Sequence, residues 1–380
     1  MDNKKLSPLP QAKERDPYID ILKGIGIMSI VIGHSAAITI PAIKFNSAVF
    51  VYGYHIMIFM FVLGFLFNKD KCVPPFTYIG KTIVSMGKLY FVYSVIFLLL
   101  HNQLLKWGFI SNVPFEFDAL AIKIVNALLF NCEESMLGAM WFVPMYVFAA
   151  IIFSSLFYIA EKSKFPMALH IAFTCITMTI GLMMHSGTPW YLYHIQTSVL
   201  ALPVCYFGFF VKKYWNVLKK GITWYGGIIA AVGLHFILTT KHGGIELAAN
   251  QIITPYLFYP ATILGVYYCL ALAKVISMFK YPCKLFAYVG KNSFHIMALH
   301  FVCLKLVDVI YGLISNQGPE IYSKFPVAFD FWYIYYPVGI FLPLGIIELC
   351  KLIRKYATLG VSKLYALAFK KSKKKEDADS

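Results

Sequence analysis

Apolar stretches of about 20 residues, separated by short polar connections, recur ten times along this chain. They predict membrane-spanning helices over 21–40, 48–67, 82–100, 137–159, 167–185, 191–211, 221–239, 252–273, 293–314 and 332–353. The third window holds Lys88, and the ninth holds Lys305 and Asp308. The reading is an all-α polytopic membrane protein, a bundle of about ten transmembrane helices. Nothing repeats internally, no pair of broken helices suggests inverted halves, and neither a Walker loop nor a dinucleotide fingerprint is present.

Composition agrees: 59% of the 380 residues are apolar and only 14% charged, unlike any ordinary soluble domain. A charged segment without a small-residue cleavage site precedes the first window, which predicts a retained helix rather than a removed signal. The formal charge of +16 follows from the connections and points to no nucleic-acid partner. Basic residues crowd the N-terminal segment, alternate connections (Lys69 to Lys81, Lys162 and Lys164, Lys212 to Lys220, Lys274 to Lys291) and the C-terminal tail. The other connections hold only Lys44, Lys106, Lys123, Lys241 and Lys324. Loop bias of this kind sets orientation, so both termini are expected in the cytoplasm. The expected organisation is a cytoplasmic N-terminal segment over 1–20, a membrane domain over 21–353 and a disordered basic tail over 354–380. The longest outer connection, 101–136, contains an amphipathic stretch from Phe115 to Phe130 that is expected to lie along the interface. The eight cysteines show no metal-like spacing, so neither a structural metal nor disulfides are expected.

Ionisable residues within membrane helices are costly and mark function. Asp20, Lys23 and His34 share the first span. Lys23 and His34 fall on one helix face, about 16 Å apart, which puts a cation at the membrane edge and a proton-transfer group near the midplane. Asp20 is three residues from Lys23 and pairs with it, but lies about 21 Å from His34 along the helix, so any partner that fixes the His34 tautomer comes from another helix. His55 in the second span, Trp141 near the outer start of the fourth, and Asn292, Ser293 and His300 around the start of the ninth are further candidates. Each also has a structural role open to it: interfacial contact for His55 and Trp141, and helix capping for Asn292 and Ser293. Lys305 and Asp308 can pair on one face, and Glu348 can offset Lys351 or Lys355. Tyr52, Tyr54, Trp107, Glu116, Asp118, Trp141 and Trp190 are expected on the outer face, where an interfacial aromatic belt accounts for the rings and a binding rim is the other reading.

The order Arg15, Tyr18-Ile19-Asp20-Ile21-Leu22-Lys23-Gly24-Ile25, then Gly33-His34 resembles the opening of the acyltransferase family 3 membrane enzymes, and more narrowly the fucose 4-O-acetylase-related branch. Trp141-Phe142 and Gly290-Lys291-Asn292-Ser293 with His300 fit later motifs of that family in the same order. Phe59 and Gly64 match the second-helix motif, whereas Met57 and Leu63 replace a usual proline and serine.

The resemblance implies an enzyme that moves an acyl group, usually acetyl from acetyl-coenzyme A, to a hydroxyl of a surface polysaccharide or lipid-linked glycan in a bacterial-type plasma membrane. No permanently bound cofactor is implied; acyl-coenzyme A is a donor substrate. His34 is then the expected general base. Arg15, Lys23 and Lys88 are the expected cationic rim for the donor phosphates, with Asp20 orienting Lys23. A transporter of polysaccharide or lipid-linked sugar is the alternative that ten spans and interior histidines also permit, and a sensor with a degenerate site is a third.

Overall fold

The computed structural model describes residues 17–72, 74–132, 134–185, 192–240 and 244–379, with the backbone alone for 71, 72, 192, 240 and 359–379. In chain order come α1 (Pro17–Gly33), a small hairpin of β1 (Thr39–Ile40) and β2 (Phe45–Asn46), α2 (Ser47–Tyr52), α3 (Met57–Leu66), α4 (Lys69–Cys72), α5 (Phe76–Lys106) and α6 (Phe117–Leu128). A 3₁₀ stretch, Ser135–Trp141, leads into α7 (Phe142–Glu161), followed by α8 (Pro166–Met183), α9 (Ile195–Lys213), α10 (Trp215–Gly221) and α11 (Trp224–Thr240). A second hairpin, β3 (Ile245–Glu246) with β4 (Gln251–Ile252), precedes α12 (Phe258–Ser277), α13 (Lys280–Lys291), α14 (Ser293–Ile314), α15 (Pro319–Tyr322) and α16 (Trp332–Asp379).

The all-α polytopic architecture is as expected, with a difference in the count of full-length spans. Among the described residues, eight helices are long and apolar enough to cross a membrane, counting α2 with α3 as one, and α10 with α11 supplies a ninth, bent by 79° at its break. The expected first span is shorter than its hydropathy suggests. It ends at Gly33 rather than Ile40, and its 17 residues rise only about 26 Å. The chain then turns: Ser35 donates its hydroxyl to the Val31 carbonyl at 2.6 Å, and Ile38 N–H is taken by the Ser47 hydroxyl at 2.9 Å. Thr39 and Ile40 go into a β ladder instead of continuing the helix. At the other terminus, the backbone of α16 is helical to Asp379.

Side-chain contacts tie one set of helix ends together. Lys69 pairs with Glu161 at 3.3 Å, Tyr18 donates to the Leu270 carbonyl, Lys274 donates to the Ile222 carbonyl at 2.6 Å, and Tyr288 donates to Glu348. This is the end where the lysine-rich connections gather, here termed the basic end. It holds both the start of α1 and the end of the apolar part of α16. Helix α6 covers most of the amphipathic stretch expected around 115–130, and it leaves Phe117, Ile122 and Leu128 exposed at the opposite end.

Helix α1 is buried on every side: Ile19, Ile21, Leu22, Ile25, Ile27, Ile30 and Val31 are all in the core, as befits a central helix that is apolar all round. Its neighbours approach through glycine. A Cβ at Gly290 would run into the Asp20 carbonyl, and one at Gly24 into the Phe286 carbonyl. Small residues permit this kind of backbone contact between membrane helices. It fixes α13, and hence the start of α14, against the Asp20–Lys23 turn.

Two buried polar pairs fasten the opposite end. His101 Nδ1 meets Glu134 at 2.6 Å while its Nε2 meets the Val113 carbonyl at 3.1 Å, which holds the 101–136 connection onto α5. Lys305 and Asp308 pair at 2.7 Å with no exposure, as their spacing predicts. Beyond that prediction, Lys305 also donates to the Tyr322 carbonyl at 3.1 Å, and Asp308 accepts from Ala328 N–H at 3.0 Å and from the Tyr335 hydroxyl. One ion pair thus anchors the whole connection between α14 and α16.

Candidate functional site

The early end of α1 determines where His34 stands. His34 N–H still closes the helix by donating to the Ile30 carbonyl at 3.2 Å, and the chain leaves immediately afterwards. Although His34 ends its own helix, it does not lie at the bundle surface. Its ring is stacked on that of His300, with centroids 5.3 Å apart and planes 18° apart, and Phe301 lies 4.8 Å from it. His300 is seven residues into the 22 residues of α14, so His34 is at an interior level of the bundle.

Hydrogen bonding sets the tautomers of the neutral pair. His300 Nδ1 lies 2.9 Å from the Met297 carbonyl and 3.2 Å from that of Ile296. Carbonyl oxygens only accept, so Nδ1 of His300 carries the proton and its Nε2 offers a lone pair. His34 Nδ1 is 3.1 Å from that Nε2 and therefore donates to it. The remaining nitrogen of His34, Nε2, is left with its lone pair. The partner that the sequence could not name is thus His300, and the relay ends on the α14 backbone.

His34 borders a small cavity of about 20 Å³, together with Ile30, Tyr52, His55, Trp141, Phe142, Met297 and Glu246. The α2–α3 span is interrupted at 53–56, and this break places His55. Its Nδ1 donates to the Val51 carbonyl at 3.0 Å and its ring meets that of Tyr52 edge-on at 4.7 Å. Trp141 closes the 3₁₀ stretch at the mouth of α7, with its ring 4.6 Å from that of His194. Glu246 arrives on β3. Its carboxylate accepts from the Tyr52 hydroxyl and, at 3.2 Å, from Ala248 N–H. Burial raises the Glu246 pKa above the ordinary carboxyl value, offset in part by those two hydrogen bonds.

On the basic-end side of His34 lies a larger cavity of about 230 Å³. Lys23 and Ser293 stand among its lining residues, and Ile27, Phe59, Met86 and Tyr146 provide apolar walls. The two cavities share Ile30, Phe142 and Met297 as a common wall. Lys23 is held by Asp20 at 2.8 Å, the i,i+3 pair that the sequence predicts. Ile30, Phe142 and Met297 therefore stand between the cavity beside Lys23 and the one beside His34.

The structure brings together His34, His55 and Trp141 around the small cavity, with His300 behind His34, and Lys23 and Ser293 around the larger one, with Asp20 behind Lys23. Lys88 departs from expectation: it lies on the exposed face of α5 and lines neither cavity, because α5 turns that face away from the bundle. Asn292 does not cap α14 as its position suggests; its side-chain amide donates back to the Tyr288 carbonyl at 2.9 Å and closes α13. Arg15 and Trp190 fall outside the described residues. Glu116 and Asp118 are exposed and Glu134 is spent on His101, so none of these outer acids reaches the cavity. Glu246, which the sequence reading passed over, is the carboxylate that does.

The candidate site is thus a hydrogen-bonded histidine pair inside an all-α membrane bundle, with one small cavity beside His34 and a larger one beside Lys23. The family model for the acyltransferase domain, acyltransferase family 3, matches residues 16–353, and the chain belongs to that family. It is a multi-pass membrane acyltransferase. Comparison with curated proteins and with solved structures gave no match.

Proposed function

We propose that this acyltransferase moves an acetyl group from acetyl-coenzyme A to a hydroxyl of a surface polysaccharide or lipid-linked glycan, with its basic end in the cytoplasm of a bacterial-type plasma membrane. The observation that carries the reading is the relay from the α14 backbone through His300 to His34, which leaves a lone pair on Nε2 of His34, a residue that borders the small cavity. The larger cavity opens beside Lys23, whose ammonium suits the donor's phosphates, and its apolar walls suit the donor's arm. The acceptor belongs on the side of Trp141, Tyr52 and Glu246.

The steps balance as follows. Nε2 of His34 takes the proton of the acceptor hydroxyl as its oxygen attacks the thioester carbonyl carbon. The C–S bond breaks, the acetyl group stays on the acceptor oxygen as an ester, and the departing coenzyme A thiolate recovers the proton from His34. General-base catalysis of this kind contributes about 10²- to 10⁴-fold, and holding both substrates in reach of one nitrogen adds to it.

The test is coenzyme A release from acetyl-coenzyme A by membranes carrying the wild type or His34→Ala at matched protein level, with and without glycan acceptors. Donor-dependent release that falls by about 10²-fold or more in the variant is the expected result. Equal release by both proteins would remove His34 from the chemistry.

A further inference from the structure

Glu246 occupies a position that costs free energy and that the fold does not require. It belongs to a two-residue strand in a hairpin that is anchored by apolar side chains: Ile245, Leu247 and Ile252 are buried in the core, and Glu246 alternates between two of them. An apolar residue or an outward-facing one would serve the hairpin equally well. Instead the carboxylate is turned into the cavity that holds His34. Among the described residues lining that cavity it is the one acid, and Trp141 and Tyr52 are its aromatic neighbours.

Its bonding is incomplete. A carboxylate offers about four acceptor sites. Tyr52 OH and Ala248 N–H fill two of them, and Glu246 itself lines the cavity. A cavity of about 20 Å³ holds one water at most, so an acceptor reaches His34 only by taking over contacts that the lining now makes to itself. The Tyr52–Glu246 hydrogen bond is the contact best suited to such exchange, because an incoming hydroxyl can replace the phenol as donor to the same oxygen. An acid and an aromatic face beside a general base match a polyol that presents two neighbouring hydroxyls, one to each group.

We infer that Glu246 is a specificity-determining residue for the acceptor: its carboxylate accepts a hydrogen bond from the hydroxyl adjacent to the one that His34 deprotonates, so the site selects a vicinal diol of a sugar ring. The inference rests on the O-acetyl transfer reading. Tyr52 holds the carboxylate in place until the sugar displaces it.

The experiment compares acetyl transfer from acetyl-coenzyme A to a set of methyl pyranosides and to their monodeoxy counterparts, each lacking one ring hydroxyl. Membranes carry the wild type, His34→Ala, Glu246→Gln, Glu246→Asp or Tyr52→Phe, with folding checked by the elution profile in detergent. The readout is the ratio of kcat/KM for the diol to that for the deoxy sugar within each protein, which a purely structural role would not move. A hydrogen bond to a charged group is worth about ten- to hundredfold in such a ratio. The wild type is expected to prefer the diol by at least about tenfold, Glu246→Gln to bring the ratio within about threefold of unity, Glu246→Asp to fall between, and Tyr52→Phe to keep the preference. A Glu246→Gln ratio equal to that of the wild type, or a Tyr52→Phe ratio that collapses to the same extent, would overturn the inference while leaving acetyl transfer standing. Loss of His34-dependent transfer to every sugar would instead overturn the reading beneath it, and the inference with it.

Discussion

The tautomer relay makes a quantitative demand on His300. Replacing it by Phe keeps an aromatic ring beside Phe301 but removes the acceptor for His34 Nδ1–H, now 3.1 Å away. That donor is then buried among Ile30, Phe142 and Phe301 with nothing to receive it. An unmet buried donor costs about 1–3 kcal/mol, and at 1.4 kcal/mol per factor of ten the productive tautomer falls by about five- to hundredfold. The His34 ring escapes the cost by moving its proton to Nε2, which is the nitrogen the reaction needs bare. His300→Phe should therefore lower kcat for coenzyme A release by that factor, less than His34→Ala does. The KM for donor should hold, because His300 does not line the cavity beside Lys23. His300→Gln, which restores a side-chain acceptor, should recover part of the loss. Steady-state kinetics on matched membranes decides the matter. An unchanged kcat in His300→Phe, or a loss confined to donor KM, would refute the relay.

Three further outcomes follow from other parts of the fold. Lys305→Met leaves Asp308 buried without its cation and should cost about 3–5 kcal/mol, read as a large drop in the melting temperature of the detergent-solubilised protein; Lys305→Met combined with Asp308→Leu should recover much of it. Lys23→Met removes the ammonium at the mouth of the larger cavity and should raise the KM for acetyl-coenzyme A while flattening its dependence on salt, since screening acts on that attraction. Glu246 should impose an acid limb on the acceptor KM. The titratable groups sharing its cavity are His34, Tyr52 and His55. Burial raises the Glu246 pKa, so its carboxylate is protonated, and the KM rises, at a higher pH than for an exposed glutamate; Glu246→Gln should abolish that limb and leave any limb due to the histidines.

The helices could be read from the chain because a span of apolar side chains is a local property. Span 293–314 coincides with α14, and the i,i+3 pairs Asp20–Lys23 and Lys305–Asp308 form as their spacing requires. The end of α1 could not be read this way. Residues 34–40 are as apolar as a helix continuation would be, and what takes them instead is the Ser47 hydroxyl on Ile38 N–H and a β ladder to Phe45 and Asn46. Lys88 misled because periodicity within α5 does not say which face turns outward. Glu246 gave no signal at all: one acid in a short connection becomes a site residue only when a hairpin folds it back on Tyr52, 194 positions earlier in the chain.

The short first helix also bears on the chemistry. If α1 ran on to Ile40, His34 would lie inside a helix whose carbonyls were all satisfied. Because it stops at Gly33, His34 stands at the C-terminal end of α1, with its backbone N–H on the Ile30 carbonyl. The C-terminal end of a helix carries the negative pole of its dipole and favours a nearby imidazolium by about 0.3–1 kcal/mol when exposed and up to about 2 kcal/mol when partly buried. In acetyl transfer, His34 becomes that imidazolium as it takes the acceptor proton, and His300 receives its Nδ1–H throughout. The dipole and the relay thus act on the same side of the reaction: both favour the charged state that forms in the transition state over the neutral one that precedes it.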